Sequence, residues 1–376
     1  VPYMSDTETL RLATRGSDLA LRQAAMVRDR LRTRRLEVEA VQDETTGDQL
    51  QEELIHQLGM TGAFVRAVDQ QVIEGDCDLA VHSLKDVPTE FPPDLVVAAV
   101  PERGAASDLL VSPGGETLES LPQKAVIGTA SLRRRAELLA ARPDLDVEPL
   151  RGNVDSRVET LLAPGLQAEH ERRMAAEETD EAGEDDEDGE ETDQYDLTVE
   201  EWFDSLAEIE RRALGRETDV EYDAIVLAEA GLERAGLLPH IQYERFSRSE
   251  FVPAPGQGAL AITAREQSLV ETLRDRIDHP PSRVEATVER TVLETLGGGC
   301  VAPLGIHARL RGEYVNVIAR AHSRDGQRRV EDSTDVPVDS HPEAARRFGE
   351  RMAEAGAAEL VADARRTDEE RREATR

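Results

Sequence analysis

Short apolar, β-branched runs alternate along this chain with stretches whose apolar residues recur every three or four positions. The pattern predicts a strand over Leu10–Thr14, a helix capped by Ser17, a strand over Val38–Asp43 and a helix from about Phe64 to Glu74. Strands follow at Leu79–His82, Leu95–Ala99 and Ala125–Thr129, then a helix over Leu132–Ala141. Further strands read at Val147–Leu150, Asp223–Ala228 and Ala259–Thr263. This is the rhythm of βαβ units, which build parallel or mixed sheets with helices on both faces and bind ligands at the carboxyl ends of their strands. After Pro281 the pattern changes to a helix ending at Leu296, a strand pair within 306–323 and a helix from about Pro342 to Ala364 with Ser340 as its cap, together a smaller α+β domain. Between about Leu162 and Glu221 the periodicity gives way to EETDEAGEDDEDGEETDQ, too charged to bury and read as a disordered surface insertion, with Val199–Leu214 as a surface helix. The sequence shows no internal repeat.

Composition narrows this picture. A length of 376 residues allows two or three domains, each with its own core. Acidic residues number 78 against 45 basic ones, for a net charge of -33, so overall charge draws the chain to neither nucleic acid nor an anionic membrane. Lys85 and Lys124 are the only lysines, and acids are spread along the whole chain, as in halophilic proteins kept soluble by carboxylates in screening salt. Two cysteines, Cys77 and Cys300, cannot build a disulfide framework, and no His/Cys cluster has metal-ligand spacing, so no metal is expected. No apolar run approaches the roughly 20 residues that span a bilayer, and the expected location is cytoplasmic.

Candidate chemistry gathers where predicted strands end. Arg15 lies in ATRGS, Arg133 and Arg134 in GTASLRRR, and Arg151 and Arg157 in LRGNVDSR. Guanidinium groups bind carboxylates bidentately, and Ser17, Thr129 and Ser131 stand beside them at predicted helix starts, where hydroxyls and free N–H groups also receive anions. Together they describe a site for a ligand with several carboxylates or phosphates. In DLAVHSLKDVP, Lys85 and Asp86 follow an apolar strand; Asp86 either stabilises a cationic intermediate or forms a local ion pair with Lys85. His82 reads as a satisfied core residue and Cys77 as packing. Cys300, preceded by three glycines, is either a substituted thiol or a small buried hydrophobe. Gln257, in VPAPGQGALAI, donates either to a ligand or to backbone.

Taken in order, RLATRGSDLALRQA, GAFVRAVDQQVIEGDCDLAVHSLKDVP, IGTASLRRRAELLAARPDLDVEPLRGNVDSR, YDAIVLAEAGLERAGL, PAPGQGALAI and LGGGCVAPLGIHA resemble the porphobilinogen deaminases, also called hydroxymethylbilane synthases. The resemblance implies a transferase that condenses four porphobilinogen molecules head to tail, releasing ammonia, to give hydroxymethylbilane for tetrapyrrole (heme, siroheme, cobalamin) biosynthesis. It implies a dipyrromethane cofactor joined to Cys300 by a thioether and held by Lys85, Asp86, Thr129, Ser131, Arg133, Arg134, Arg151 and Arg157. Arg15, Ser17, Arg234 and Gln257 then meet the incoming porphobilinogen, and Asp86 is catalytic. The implied fold has three domains, two of them like periplasmic binding proteins, with doubly wound mixed sheets around a cleft, and a third small α+β domain. On this chain they map to 1–103 plus about 259–278, to 104–258 with an acidic insertion at about 163–220, and to 281–376. The family is commonly monomeric. Two departures stand out: Gly59, Met60, Thr61 and Gly62 precede Phe64 where the family often has a loop lysine, and the insertion follows Arg157. A non-catalytic two-domain binding protein for a small anion explains the arginines but not Asp86 together with Cys300.

Overall fold

The computed structural model describes residues 8–42, 60–89, 92–182, 195–298 and 302–374. Cys300 and Gly59 lie outside them.

The first sheet is built from β1 (Glu8–Thr14), β2 (Leu36–Gln42), β3 (Leu79–Ser83), β4 (Val96–Ala99) and β10 (Leu260–Ala264), in the order β2-β1-β3-β10-β4. β1 pairs in parallel with β2 and β3, whereas β10 runs antiparallel to β3 and β4. Helices α1 (Asp18–Leu31), α2 (Met60–Glu74) and α8 (Gln267–Ile277) belong to this unit. Leu12, Ala24, Val27, Leu31, Leu79, Ile262 and Leu273 pack into one core across its face.

The second sheet repeats that topology without a repeat in sequence. It holds β5 (Asp108–Val111), β6 (Val126–Gly128), β7 (Asp146–Glu148), β8 (Ala224–Ala228) and β9 (Tyr243–Arg245), in the order β7-β6-β8-β5-β9. β6 pairs in parallel with β7 and β8, and β5 runs antiparallel to β8 and β9. One core covers each face, around Leu109, Val158, Ile225 and Leu232 on one side and Leu110, Ile127, Leu138 and Val226 on the other. The chain crosses between the sheets twice, before β5 and before β10. At that crossing Gly104 N–H donates to Gly258 O at 3.0 Å. Gly258, at φ +85°, leaves no room for a side chain, because a Cβ there would stand 2.6 Å from Gly104 O.

The third layer pairs β11 (Leu304–Arg311), β12 (Tyr314–His322) and β13 (Arg329–Pro337) as an antiparallel sheet. Helices α9 (Pro280–Thr295), α10 (His341–Glu354) and α11 (Ala357–Ala374) accompany it, and its core includes Val288, Val292, Ile306, Val317, Phe348 and Met352. The single C-terminal helix expected from sequence is thus two, and Ser340 ends a short 3-10 turn without a side-chain capping bond.

The acidic stretch corrects the sequence reading. Helix α3 (Leu132–Ala141) matches expectation, but α4 runs from Val154 to Ala182, well into the region read as disordered. Residues 183–194 lie outside the described ones. The surface helix expected over Val199–Leu214 is two short helices, α5 (Val199–Ser205) and α6 (Glu208–Leu214), laid on α4. Trp202 is buried, with its ring centroid 6.1 Å from that of His170, and Arg173 stacks over Trp202 and Tyr195. Glu159 of α4 accepts from Arg212 Nε at 2.8 Å and Arg216 Nη1 at 2.9 Å. In the described part of this region, α4 gains the i,i+4 pair Arg173–Glu169, and Trp202 with the Arg212 and Arg216 bonds to Glu159 ties the short helices to it; most of the acidic run itself, 183–194, is outside the described residues. No helix among the described residues is long and apolar enough to cross a membrane.

Candidate active site

The sequence-predicted cations converge on strand ends, where sheets of this type leave N–H groups and side chains facing a crevice. At the end of β1, Ser17 caps α1, its hydroxyl accepting from Ala20 N at 3.4 Å, and Arg15 is exposed just before it. At the end of β3, Leu84–Asp86 form one 3-10 turn, which places Lys85 and Asp86 side by side. At the end of β6, Thr129 is buried and its hydroxyl accepts from Ser131 N at 3.2 Å, while Ser131 caps α3 by accepting from Arg134 N at 3.4 Å. Arg151 is exposed on the turn after β7, and Arg157, in the first turn of α4, donates from Nε to Gly152 O at 2.9 Å.

Asp86 links three of these cations electrostatically. Although Arg15 reaches solvent, partial desolvation lowers its guanidinium's pKa, and the Asp86 carboxylate opposes it. Lys85 is lowered by burial and by repulsion from Arg134 and Arg157, with Asp86 and Asp108 pulling the other way. Arg157 falls to about 10, first through burial, then through Arg134, against the pull of Asp86. Crowded, desolvated cations of this kind gain when a further anion arrives. That crowding is the observation by which the residues present fit a group bearing several carboxylates.

The two adjacent arginines of α3 divide their work. Asp108, wholly buried at the start of β5, receives Arg133 Nη2 at 2.7 Å and Arg134 Nε at 3.0 Å. Burial would raise the Asp108 carboxyl, but the two guanidinium groups overcome it and hold it at about 2. Arg133 also donates from Nη1 to Glu137 at 2.6 Å and to Val252 O at 2.9 Å, so both terminal nitrogens of this 3% exposed side chain serve the protein itself. Arg133 thus anchors Asp108 and Glu137. Burial pushes Glu137 up to about 7 against the pull of Arg133.

Gln257 likewise turns to backbone. Its amide donates to Ala106 O at 2.6 Å, Ser107 O at 3.3 Å and Asp108 Oδ1 at 3.0 Å, the backbone alternative of the two that its sequence left open. Arg234, half-buried on α7 (Glu229–Ala235), donates from Nη2 to Gly258 O at 2.6 Å and so sits at the crossing between sheets. His82 is a buried core histidine, its Nε2 2.7 Å from Asp69 Oδ1. Residues that sequence reasoning missed are the buried acids Asp108, Glu137 and Glu289; the last accepts from Arg103 Nη1 at 2.8 Å and Gly256 N at 2.6 Å, pinning both crossing segments to α9. Nothing local marks them, since a lone acid beside an apolar run reads as surface.

Two family models match this sequence. One, described as the dipyrromethane cofactor-binding domain of porphobilinogen deaminase, covers residues 10–169 and 207–271, and the other, the C-terminal domain of the same proteins, covers 284–356. A probable porphobilinogen deaminase of Halobacterium salinarum is 49% identical over 96% of this chain and 99% of its own length. Porphobilinogen deaminases of Desulforudis audaxviator and Campylobacter fetus are 37% and 33% identical, each over 94% of this chain and 97% of their own lengths. The ectoine-binding protein of a TRAP transporter aligns over 72% of this chain and 76% of its own at 9% identity and a TM-score of 0.33, too slight a likeness to argue from. Matched by both family models and by full-length relatives, the chain belongs to the porphobilinogen deaminase family.

Proposed function

We propose that this chain condenses four porphobilinogen molecules head to tail, releasing ammonia, to give hydroxymethylbilane for tetrapyrrole biosynthesis. The observation that carries the reading is that Arg15, Lys85, Asp86, Thr129 and Ser131 all stand at strand ends of the two sheets, with Asp86 opposing the lowered pKa of Arg15, Lys85 and Arg157. Each porphobilinogen brings two carboxylates, so a lengthening chain needs guanidinium groups at intervals, with an acid placed among them.

Lys85, Thr129, Ser131, Arg134 and Arg157 would hold the dipyrromethane, with Arg151 on the exposed rim, and Cys300 would carry it as a thioether. When bound, that group supplies the pyrrole carbon from which the chain grows. Arg15 and Ser17 receive the carboxylates of the incoming porphobilinogen, and Arg234 steadies the crossing segment from which substrate is met. Asp86 accepts from the substrate pyrrole N–H and stabilises the azafulvenium cation left when the C–N bond of the protonated aminomethyl substituent breaks, the nitrogen leaving as ammonia and the methylene carbon staying on the ring.

The domain division into 1–103 plus about 259–278, 104–258 and 281–376 belongs to the same proposal, supported by β10 joining the first sheet after the second is complete. A cytoplasmic, monomeric protein of a halophilic organism is the accompanying reading, supported by the net charge of -33 and by the Halobacterium relative. The test is incubation of the full chain with porphobilinogen at high salt, following ammonia release and bilane formation, with intact mass of the protein beforehand. We expect turnover and a dipyrromethane-sized mass increment; no release of ammonia and an unmodified mass together sink the reading.

A further inference from the structure

The turn that carries Lys85 and Asp86 is only three residues long, closed by Val87 N–H donating to Leu84 O at 3.1 Å. So short a turn cannot fix its own side chains, and its neighbours must do so. On one flank Leu84 N–H donates to Ala259 O at 3.0 Å, and Gly256, at φ +77°, comes so near that a Cβ would lie 3.1 Å from Lys85 N. On the other flank stands Arg290, from α9. Its Nη1 donates to Val87 O at 3.0 Å and its Nη2 to Pro88 O at 2.7 Å. The two carbonyls that directly follow Asp86 are therefore gripped by one planar fork.

That geometry suits arginine alone. A guanidinium presents two donors at fixed spacing, which matches two successive carbonyls, whereas an ammonium is a point charge and satisfies one at a time. Pro88 has no N–H of its own, so the segment after Asp86 has one fewer backbone donor to hold it in place. A cavity of about 240 Å³ adjoins the fork, lined by Leu84, Thr89, Val100, Arg290, Thr291 and Glu294. Leu84 and Val87 pack against Ala286 of α9 beside this cavity, and the Arg290 bonds add the polar restraint on the two carbonyls that apolar packing cannot supply. α9 also runs directly into the glycines that precede Cys300 in the sequence.

We propose that Arg290 is a positioning residue: by holding Val87 O and Pro88 O it sets where the Asp86 carboxylate and Lys85 ammonium stand, and it ties that placement to the helix leading to Cys300. The inference rests on the role assigned above to Asp86. It gives α9 a part in the chemistry that its place in the C-terminal layer does not suggest.

The test compares wild type, Arg290→Ala, Arg290→Lys and Asp86→Asn as full chains at high salt, with porphobilinogen as substrate and the protein's intact mass recorded for each. Displacing a reacting group by about an ångström costs on the order of 100-fold in rate, so Arg290→Ala should lose roughly that in kcat while KM moves by no more than about threefold. Methylguanidinium, which fits the enlarged cavity, should restore part of the Arg290→Ala rate and none of the Asp86→Asn rate. Arg290→Lys should stay impaired. The proposal is overturned by an Arg290→Ala kcat within about twofold of wild type, or by a loss that falls on KM and resists rescue, which would mark a direct substrate contact. Should Arg290→Ala fail to fold, Arg290→Lys decides, and a near-wild-type rate there refutes the fork. A near-normal rate in Asp86→Asn would instead remove the Asp86 reading itself, and this inference with it.

Discussion

Replacing Asp108 with asparagine keeps the side chain's shape and removes one buried charge. The carboxyl is held at about 2 against an ordinary 3.8, and lowering a carboxyl by one pH unit is worth about 1.4 kcal/mol, so its ionised form contributes about 2 to 3 kcal/mol to the folded state. The variant also leaves two buried guanidinium groups, Arg133 and Arg134, short of their counter-ion, which brings the expected loss to about 3 to 5 kcal/mol. Glu137→Gln is the contrasting case. Its carboxyl is raised to about 7, so near neutrality the folded protein already holds it half protonated, and a neutral amide should cost about 1 kcal/mol or less.

The pH dependence separates the two by sign. A depressed carboxyl contributes stability that is present above its unfolded value and lost as pH falls towards about 2, so the Asp108→Asn deficit should be constant from pH 5 to pH 9. A raised carboxyl contributes stability that is present below its unfolded value of 4.5 and lost as pH rises through about 7, so Glu137→Gln should gain on wild type between pH 5 and pH 9. Denaturant unfolding followed by circular dichroism at high salt measures both. An Asp108→Asn protein within about 1 kcal/mol of wild type, or a Glu137→Gln protein that loses ground with rising pH, would refute the account of this cluster.

Other outcomes can be checked separately. Cys300→Ser should lack the dipyrromethane-sized mass increment carried by wild type, and a modified serine variant would move the attachment point elsewhere. Asp86→Ala should retain its circular dichroism spectrum while losing roughly 100- to 10,000-fold in rate, and near-normal turnover would strip Asp86 of its role. Trp202 is the only tryptophan, so its fluorescence reports on the α4–α6 layer alone. As salt is withdrawn and screening weakens, its emission should shift to the red before activity falls, and the reverse order would show that the cleft depends on this layer. Trp202→Ala should loosen the layer by about 3 to 5 kcal/mol while leaving the condensation rate unchanged.

Much of this protein was legible along the chain. The strands ending at Thr14, Ser83 and Gly128 announce themselves as apolar runs, and the residues that follow them, Arg15, Lys85, Asp86, Thr129 and Ser131, are the ones the fold sets at strand ends. Local sequence suffices there because a buried strand and its following turn are short-range features. It failed for β13, whose residues alternate in exposure but are mostly polar even where half-buried, and it missed that α4 continues past Leu162, where paired side chains and Trp202 support it. It was silent too on the internal partners that Arg133 and Gln257 find in the fold. What faces a buried guanidinium or amide is decided by residues far away in the chain, Asp108 for both and Val252 for Arg133. The order of residues alone determined which kinds of groups stand at the strand ends; the folded protein decided which of them are spent on one another, because a buried charge must find its partner across elements that no local pattern connects.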